Sequence, residues 1–286
     1  MQIEVIQIQE GISNATLTAY IHDSSIDESG PIIRPAIVIF PGGAYVGITE
    51  KEADPVAMKF LGAGYHVFIL KYSIGIGIAR FPAPFIDAAR AMMLIRENAR
   101  RWCVDSDKIG LCGFSTGGHV ATVLATSWQD AYLSDTLNAD NQLFKPNALI
   151  LGYPLLDIYQ FMKKNLEKSP KMEPLIEMMV SSSYGTLNPS KAVMDEWNCK
   201  DLVSKHMPPT FLWTTVEDNI VDVEESLEFV KTLAAKNVSF EFHLFEKGAH
   251  GISLGDETVG YSELDMKNHG NANKWLELAV SWLKHQ

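Results

Sequence analysis

Runs of unbroken apolar residues constrain this chain's fold more than any other feature. Ala36-Ile37-Val38-Ile39-Phe40 is one, and His66-Val67-Phe68-Ile69-Leu70 follows it. Lys108-Ile109-Gly110-Leu111-Cys112, Ala148-Leu149-Ile150-Leu151 and Phe211-Leu212-Trp213 read as further buried strands, and Phe240-Glu241-Phe242-His243-Leu244, interrupted by Glu241 and His243, as one more strand. A strand with one wet face alternates apolar and polar residues, whereas a continuous apolar run marks a strand buried on both faces. Helical patterns lie between the runs: through Val56, Met58 and Leu61, over Ala83 to Arg101, over Val120 to Ala125, over Val223 to Ala235 and over Asn271 to Lys284. β and α in alternation predict the α/β class, a mostly parallel sheet with helices on both faces. Ligands of such sheets bind outside the carboxyl ends of the strands.

The ends of the chain read differently from its middle. Gln2 to Gln9 and Thr16 to Ile21 alternate apolar and polar residues, the mark of an antiparallel strand pair at a sheet edge. Asp23 to Pro31 is polar and reads as a turn. From Leu155 to Met207 no buried strand is evident. Lys171 to Val180 instead carries Met172, Leu175, Ile176, Met179 and Val180 at helical spacing. A stretch this long between strands predicts a helical insertion, 155–207, set above the strand ends as a cap within a single domain of residues 1–286. Met162, Met172 and Tyr153 could line the cap side, although the methionines read better as ordinary core filler.

Charge and cysteine usage exclude whole classes of function. The net charge of −11 argues against nucleic acid or an anionic membrane as a partner. No apolar run approaches the ~18 residues of a membrane span. The first residues already read as a strand rather than a signal peptide. Three cysteines without C-x-x-C spacing suit reduced thiols, so the expected compartment is the cytoplasm. No H-E-x-x-H or Cys/His cluster has metal-ligand spacing, and Gly75-Ile76-Gly77 is not a dinucleotide fingerprint. The expectation is that no metal or organic cofactor is used. A homo-oligomer is left open.

Chemistry concentrates at Gly113-Phe114-Ser115-Thr116-Gly117, a G-x-S-x-G between a strand and a helix. A sharp strand-to-helix turn lifts the Ser115 hydroxyl above the sheet and places a helix N-terminus behind it. The strained turn and close chain passage account for Gly113 and Gly117. A nucleophilic serine needs a base, an orienting acid and donors for the oxyanion. His250 follows the last strand in Gly248-Ala249-His250-Gly251 and is the expected base among eight histidines. His119, inside the helix after the serine, reads as a packing residue. Asp218, just past a strand end, is the favoured acid, with Glu217 and Asp222 as rivals; Asp222 also reads as a helix N-cap. Gly43 and Ala44, in the small-residue loop Pro41 to Tyr45, would supply backbone donors together with Thr116. Tyr45 and Tyr153 are the candidate substrate contacts.

These motifs resemble the α/β-hydrolase superfamily, specifically small bacterial acetyl esterases and acetylxylan-esterase-like enzymes. There the oxyanion loop reads P-G-G-G-Y and the nucleophile segment G-F-S-A-G-G-H. Val104 to Ile109, Phe81-Pro82-Ala83-Pro84 with Asp87, Pro208 to Leu212 and Phe245 to Gly251 are similar to further family segments. The likeness spans Ile37 to the C-terminus. It departs at Ala44, where the family has a third glycine, and in a longer 162–183 segment. The resemblance implies the three-layer α/β-hydrolase fold and hydrolysis of a small-molecule, short-chain carboxylic ester, with acetylated sugars as candidates. An arylformamidase, a small serine peptidase and a non-catalytic binding protein on the same scaffold are the alternatives.

Overall fold

The computed structural model describes residues 1–9, 13–23, 26–27 and 30–286. Its centre is an eight-stranded sheet. In chain order the strands are β1 (Gln2–Gln7), β2 (Thr16–Ile21), β5 (Arg34–Phe40), β6 (His66–Lys71), β7 (Val104–Phe114), β8 (Ala148–Gly152), β9 (Thr210–Thr215) and β10 (Phe240–Phe245). Two-residue strands β3 (Ile26–Asp27) and β4 (Gly30–Pro31) form a separate antiparallel pair. The turn expected over Asp23 to Pro31 lies partly outside the described residues. Across the main sheet the order is β1-β2-β6-β5-β7-β8-β9-β10. β1–β2 and β2–β6 are antiparallel and every later pair is parallel. This is the α/β-hydrolase architecture, with the edge hairpin where the alternating pattern placed it.

Strand pleating sends successive side chains to opposite faces, so each apolar run feeds two cores. Val38, Phe40, Leu111, Leu149, Leu151 and Leu212 pack on one face. They meet α2 (Ala83–Glu97), α4 (Ser115–Ser127), α5 (Ala131–Leu137) and α10 (Val223–Ala235). Ile37, Ile39, Cys112, Phe114, Ile150 and Trp213 pack on the other, against α1 (Asp54–Gly62) and α12 (Trp275–Leu283). There Trp213 and Trp275 stack with centroids 5.3 Å apart.

Several boundaries differ from the sequence reading. The helix expected through Arg101 breaks at Asn98, whose side-chain amide donates to Leu94 O at 2.9 Å and competes with the helix ladder. A short α3 (Ala99–Trp102) follows, and Cys103 (φ 55°) turns the chain into β7. β7 begins earlier than expected, at Val104. The last helix opens with a 3₁₀ turn, Ala272–Lys274. Segment 155–207 holds α6 (Ile158–Lys168), α7 (Glu173–Tyr184), α8 (Lys191–Asp195) and α9 (Cys199–Leu202). Beyond β10, α11 (Glu263–His269) was not evident in the apolar pattern. It starts on a capping box between Ser262 and Asp265. Among the described residues no helix is long and apolar enough to cross a membrane.

Candidate active site

Ser115 stands where β7 ends and α4 begins, with φ 50°. This left-handed conformation costs a non-glycine residue about 1–2 kcal/mol and persists only where the surroundings impose it. They do so through two glycines. A Cβ on Gly113 would stand 2.6 Å from Gly117 O, and one on Gly117 would stand 2.0 Å from Phe40 O. The start of α4 is therefore pressed against the end of β5 to a distance that no other residue type permits.

The chain brings three of the predicted side chains into one line. His250 Nε2 lies 2.9 Å from Ser115 Oγ, and His250 Nδ1 lies 2.8 Å from Asp218 Oδ2. The Asp218 side chain is 1% exposed. Its other oxygen accepts the N–H groups of Ile220 and Val221, each at 2.9 Å. Those bonds hold the carboxylate where it faces the imidazole. The rivals are occupied elsewhere. Glu217 is exposed, with only a long 3.4 Å contact to the Gly248 N–H. Asp222 caps α10 by accepting the Glu224 N–H at 3.0 Å.

The loop after β5 turns through Gly43 (φ 142°), Ala44 (φ 55°) and Tyr45 (φ 59°). Gly43 and Ala44 line the recess beside Ser115, and Thr116 joins them from the start of α4. The Ala44 N–H donates to Thr116 Oγ1 at 3.0 Å, and that hydroxyl lies 3.3 Å from Tyr72 Oη. Tyr72 in turn donates to Pro41 O at 2.9 Å. A two-residue clasp thus holds the loop over the serine.

Tyr45 and Tyr153 do not line the recess, which corrects their expected contact with substrate. Both are about fully buried. Tyr45 lies behind the loop with its hydroxyl 2.6 Å from His119 Nδ1. His119 Nε2 faces Trp197 O at 2.8 Å; that carbonyl can only accept, so Nε2 carries the proton and Nδ1 accepts from Tyr45. Burial lowers the His119 pKa to about 4, leaving a satisfied, neutral packing residue. Tyr153 packs edge-on against the His250 ring, centroids 5.0 Å apart, and donates to Glu52 Oε1 at 2.8 Å. Met162 and Met172 pack against the core.

The recess measures about 370 Å³. Leu155, Phe161, Leu175, Met179, Ile220 and Val221 form an apolar wall, most of it from segment 155–207. Thr49, Lys51 and Glu52 also border the recess, together with Ser115 and His250. Sequence reasoning missed Lys51 and Glu52. Among the described residues, no group of three or more His, Cys, Asp or Glu side chains is arranged to hold a metal ion.

Residues 26–233 match the BD-FAE family. Endo-1,4-beta-xylanase B of Butyrivibrio fibrisolvens is 28% identical over 243 residues, 84% of this chain but 35% of that protein. This chain thus spans about a third of that relative's length. The carboxylesterase Cest-2923 of Lactobacillus plantarum WCFS1 superposes with a TM-score of 0.83 at 26% identity, covering 100% of this chain and 98% of that one. An acetyl ester-xyloside bifunctional hydrolase from Caldicellulosiruptor lactoaceticus gives 0.78 at 28% identity, covering 99% and 96%. The chain belongs to the BD-FAE family and is an esterase-like α/β hydrolase.

Proposed function

We propose that this protein hydrolyses carboxylic esters through an acyl-enzyme formed on Ser115. The observation that carries the reading is the unbroken pair of hydrogen bonds from Ser115 Oγ through His250 to Asp218. Ser115 Oγ attacks the ester carbonyl while His250 Nε2 takes its proton. Asp218 holds the imidazole by Nδ1 and favours the imidazolium. The tetrahedral oxyanion is received by the N–H groups of Gly43, Ala44 and Thr116, for which Ala44 exchanges its bond to the Thr116 hydroxyl. One such donor contributes about 3 kcal/mol to the transition state. His250 then protonates the departing alcohol, and water repeats the sequence to release the acid.

Segment 155–207 acts as a cap that supplies the apolar wall. An acetyl group fills a small part of a recess of about 370 Å³, so the same recess also holds the alcohol part. Thr49 and Lys51 suit a hydroxyl-rich alcohol. The relatives named for xylanase and acetyl ester-xyloside hydrolysis support acetylated sugars as the substrate class.

Ser115→Ala is expected to abolish turnover of p-nitrophenyl acetate and labelling by a fluorophosphonate while the circular dichroism spectrum is kept. Turnover in that variant at the wild-type rate would sink the mechanism. A series of p-nitrophenyl esters beside acetylated xylo-oligosaccharides reads the substrate class. Equal kcat/KM for the sugar ester and a simple aryl acetate would remove the sugar assignment.

A further inference from the structure

Glu52 is a carboxylate 1% exposed in a turn, Glu50–Glu52, that opens α1. Its Oε2 accepts the Gly42 N–H at 2.7 Å and its Oε1 accepts the Tyr153 O–H at 2.8 Å. Tyr153 Oη accepts the Ser253 N–H at 3.0 Å. Ser253 Oγ donates back to Lys51 O at 2.5 Å. Both carboxylate oxygens thus receive donors, the pattern of an ionised group. One side chain links the loop over Ser115 to the loop that carries His250. A Cβ on Gly42 would stand 2.9 Å both from Glu52 Oε2 and from Ser115 Cβ, so the carboxylate lies immediately behind the serine.

A buried carboxylate is costly unless a cation repays it. The titratable groups facing Glu52 are Lys51 on its own turn, Tyr153 after β8, His250 on its loop, Tyr72 after β6 and Cys112 in β7. Lys51 directs its Nζ to Tyr261 Oη, 3.0 Å away. His250, which becomes cationic when it takes the Ser115 proton, is the other group here that can carry a positive charge. His250 itself is faced by Asp218, by the Tyr153 ring and by Glu52.

We propose that Glu52 is a positioning residue for the reaction: its hydrogen bonds set the spacing between the Gly42–Ala44 loop and the histidine loop, and its charge adds to that of Asp218 in favouring the imidazolium. Burial raises the carboxyl's pKa above its ordinary value, and the bonds from Tyr153 and Gly42 and the charge on His250 offset only part of that rise. The proposal rests on the reading of Ser115 as nucleophile.

Glu52→Gln separates charge from contact, because the amide oxygen still accepts the Gly42 N–H. The expected result is a loss in kcat on the order of 10–100-fold, with KM within about twofold. The acid limb of kcat/KM should move down by about half a pH unit or more, because removing a nearby negative charge disfavours the protonated imidazole. Tyr153→Phe, which keeps the charge but breaks the link to Ser253, is expected to lower kcat with the limb unmoved. An unchanged kcat in Glu52→Gln, a fall in kcat with the limb in place, or a rise in KM alone would each overturn the proposal. Fluorophosphonate uptake at Ser115 is measured in both variants and in the wild type. A wild-type chain that takes up no label indicts the nucleophile, whereas full uptake with an unmoved limb indicts Glu52.

Discussion

Asp218 and Asp222 stand four residues apart and serve different parts of the molecule. Asp218 is locked by two backbone N–H groups and turned to His250, whereas Asp222 turns away to begin α10. Asp218→Asn keeps the shape but forces the imidazole toward the wrong tautomer. It is expected to lower kcat on the order of 10³-fold or more with KM little changed, measured by steady-state kinetics on an aryl acetate. Ser115 and His250 were legible because each lies in glycine punctuation directly after a strand, where local sequence and chemistry coincide. Glu52 was not, since a glutamate in Lys51-Glu52-Ala53-Asp54-Pro55 looks like a solvated helix start. Its burial arises only when β8 and the histidine loop close over it. The same limit explains Tyr45 and Tyr153. Both are tyrosines in loops at strand ends, and positive φ angles of 59° and 37° accompany side chains turned inward to the second layer.

Among the elements, α6 and α10 show how segment 155–207 is fastened to the sheet domain. Asp222 caps α10 and also meets Lys164 Nζ and Lys168 Nζ of α6, each at 3.1 Å. Burial would raise its pKa, but the Glu224 N–H and the two ammonium groups outweigh that and hold it at about 2. A carboxyl lowered in the fold stabilises it above the ordinary carboxylate range, near pH 4, and loses that contribution as pH falls through about 2. Asp222→Ala is expected to cost about 1–2 kcal/mol, read from the urea midpoint at pH 7. The gap to wild type should close toward pH 2. An equal gap at both pH values would separate the loss from ionisation. Helices in the sheet domain were legible because one apolar stripe decides them. The existence of α7 was legible for the same reason, and its residues 173–184 overlap the expected 171–180. The path of 155–207 was not, because short helices joined by polar turns are placed by contacts such as these.

At the scale of the whole molecule, one buried acid joins the two parts at neutral pH. Glu225 Oε2 accepts the N–H groups of Leu156 at 3.1 Å and Asp157 at 3.2 Å, where the chain leaves β8 for α6. Burial pushes its carboxyl up to about 8, against the pull of those two bonds. A group raised in the fold contributes stability below its unfolded value, near 4.5, and loses it as pH climbs through about 8. Glu225→Gln keeps an acceptor without the charge. Its Tm should exceed that of wild type by about 2 °C or more at pH 8 and match it at pH 4.5, by thermal melts across that range. A Tm difference constant with pH would refute this role.

The chain's last residues, Leu283, Lys284 and Gln286, border a recess with Pro35, Ala36 and Gly110. Those are residues at the beginnings of β5 and of the buried part of β7, whereas Ser115 stands at the far end of β7. The sheet therefore separates two recesses, one at the beginnings of its strands and one beside Ser115. A support coupled through Gln286 would hold the protein upright, with the mouth of its cavity turned to the surroundings. Immobilisation on that side thus leaves the recess at Ser115 facing outward.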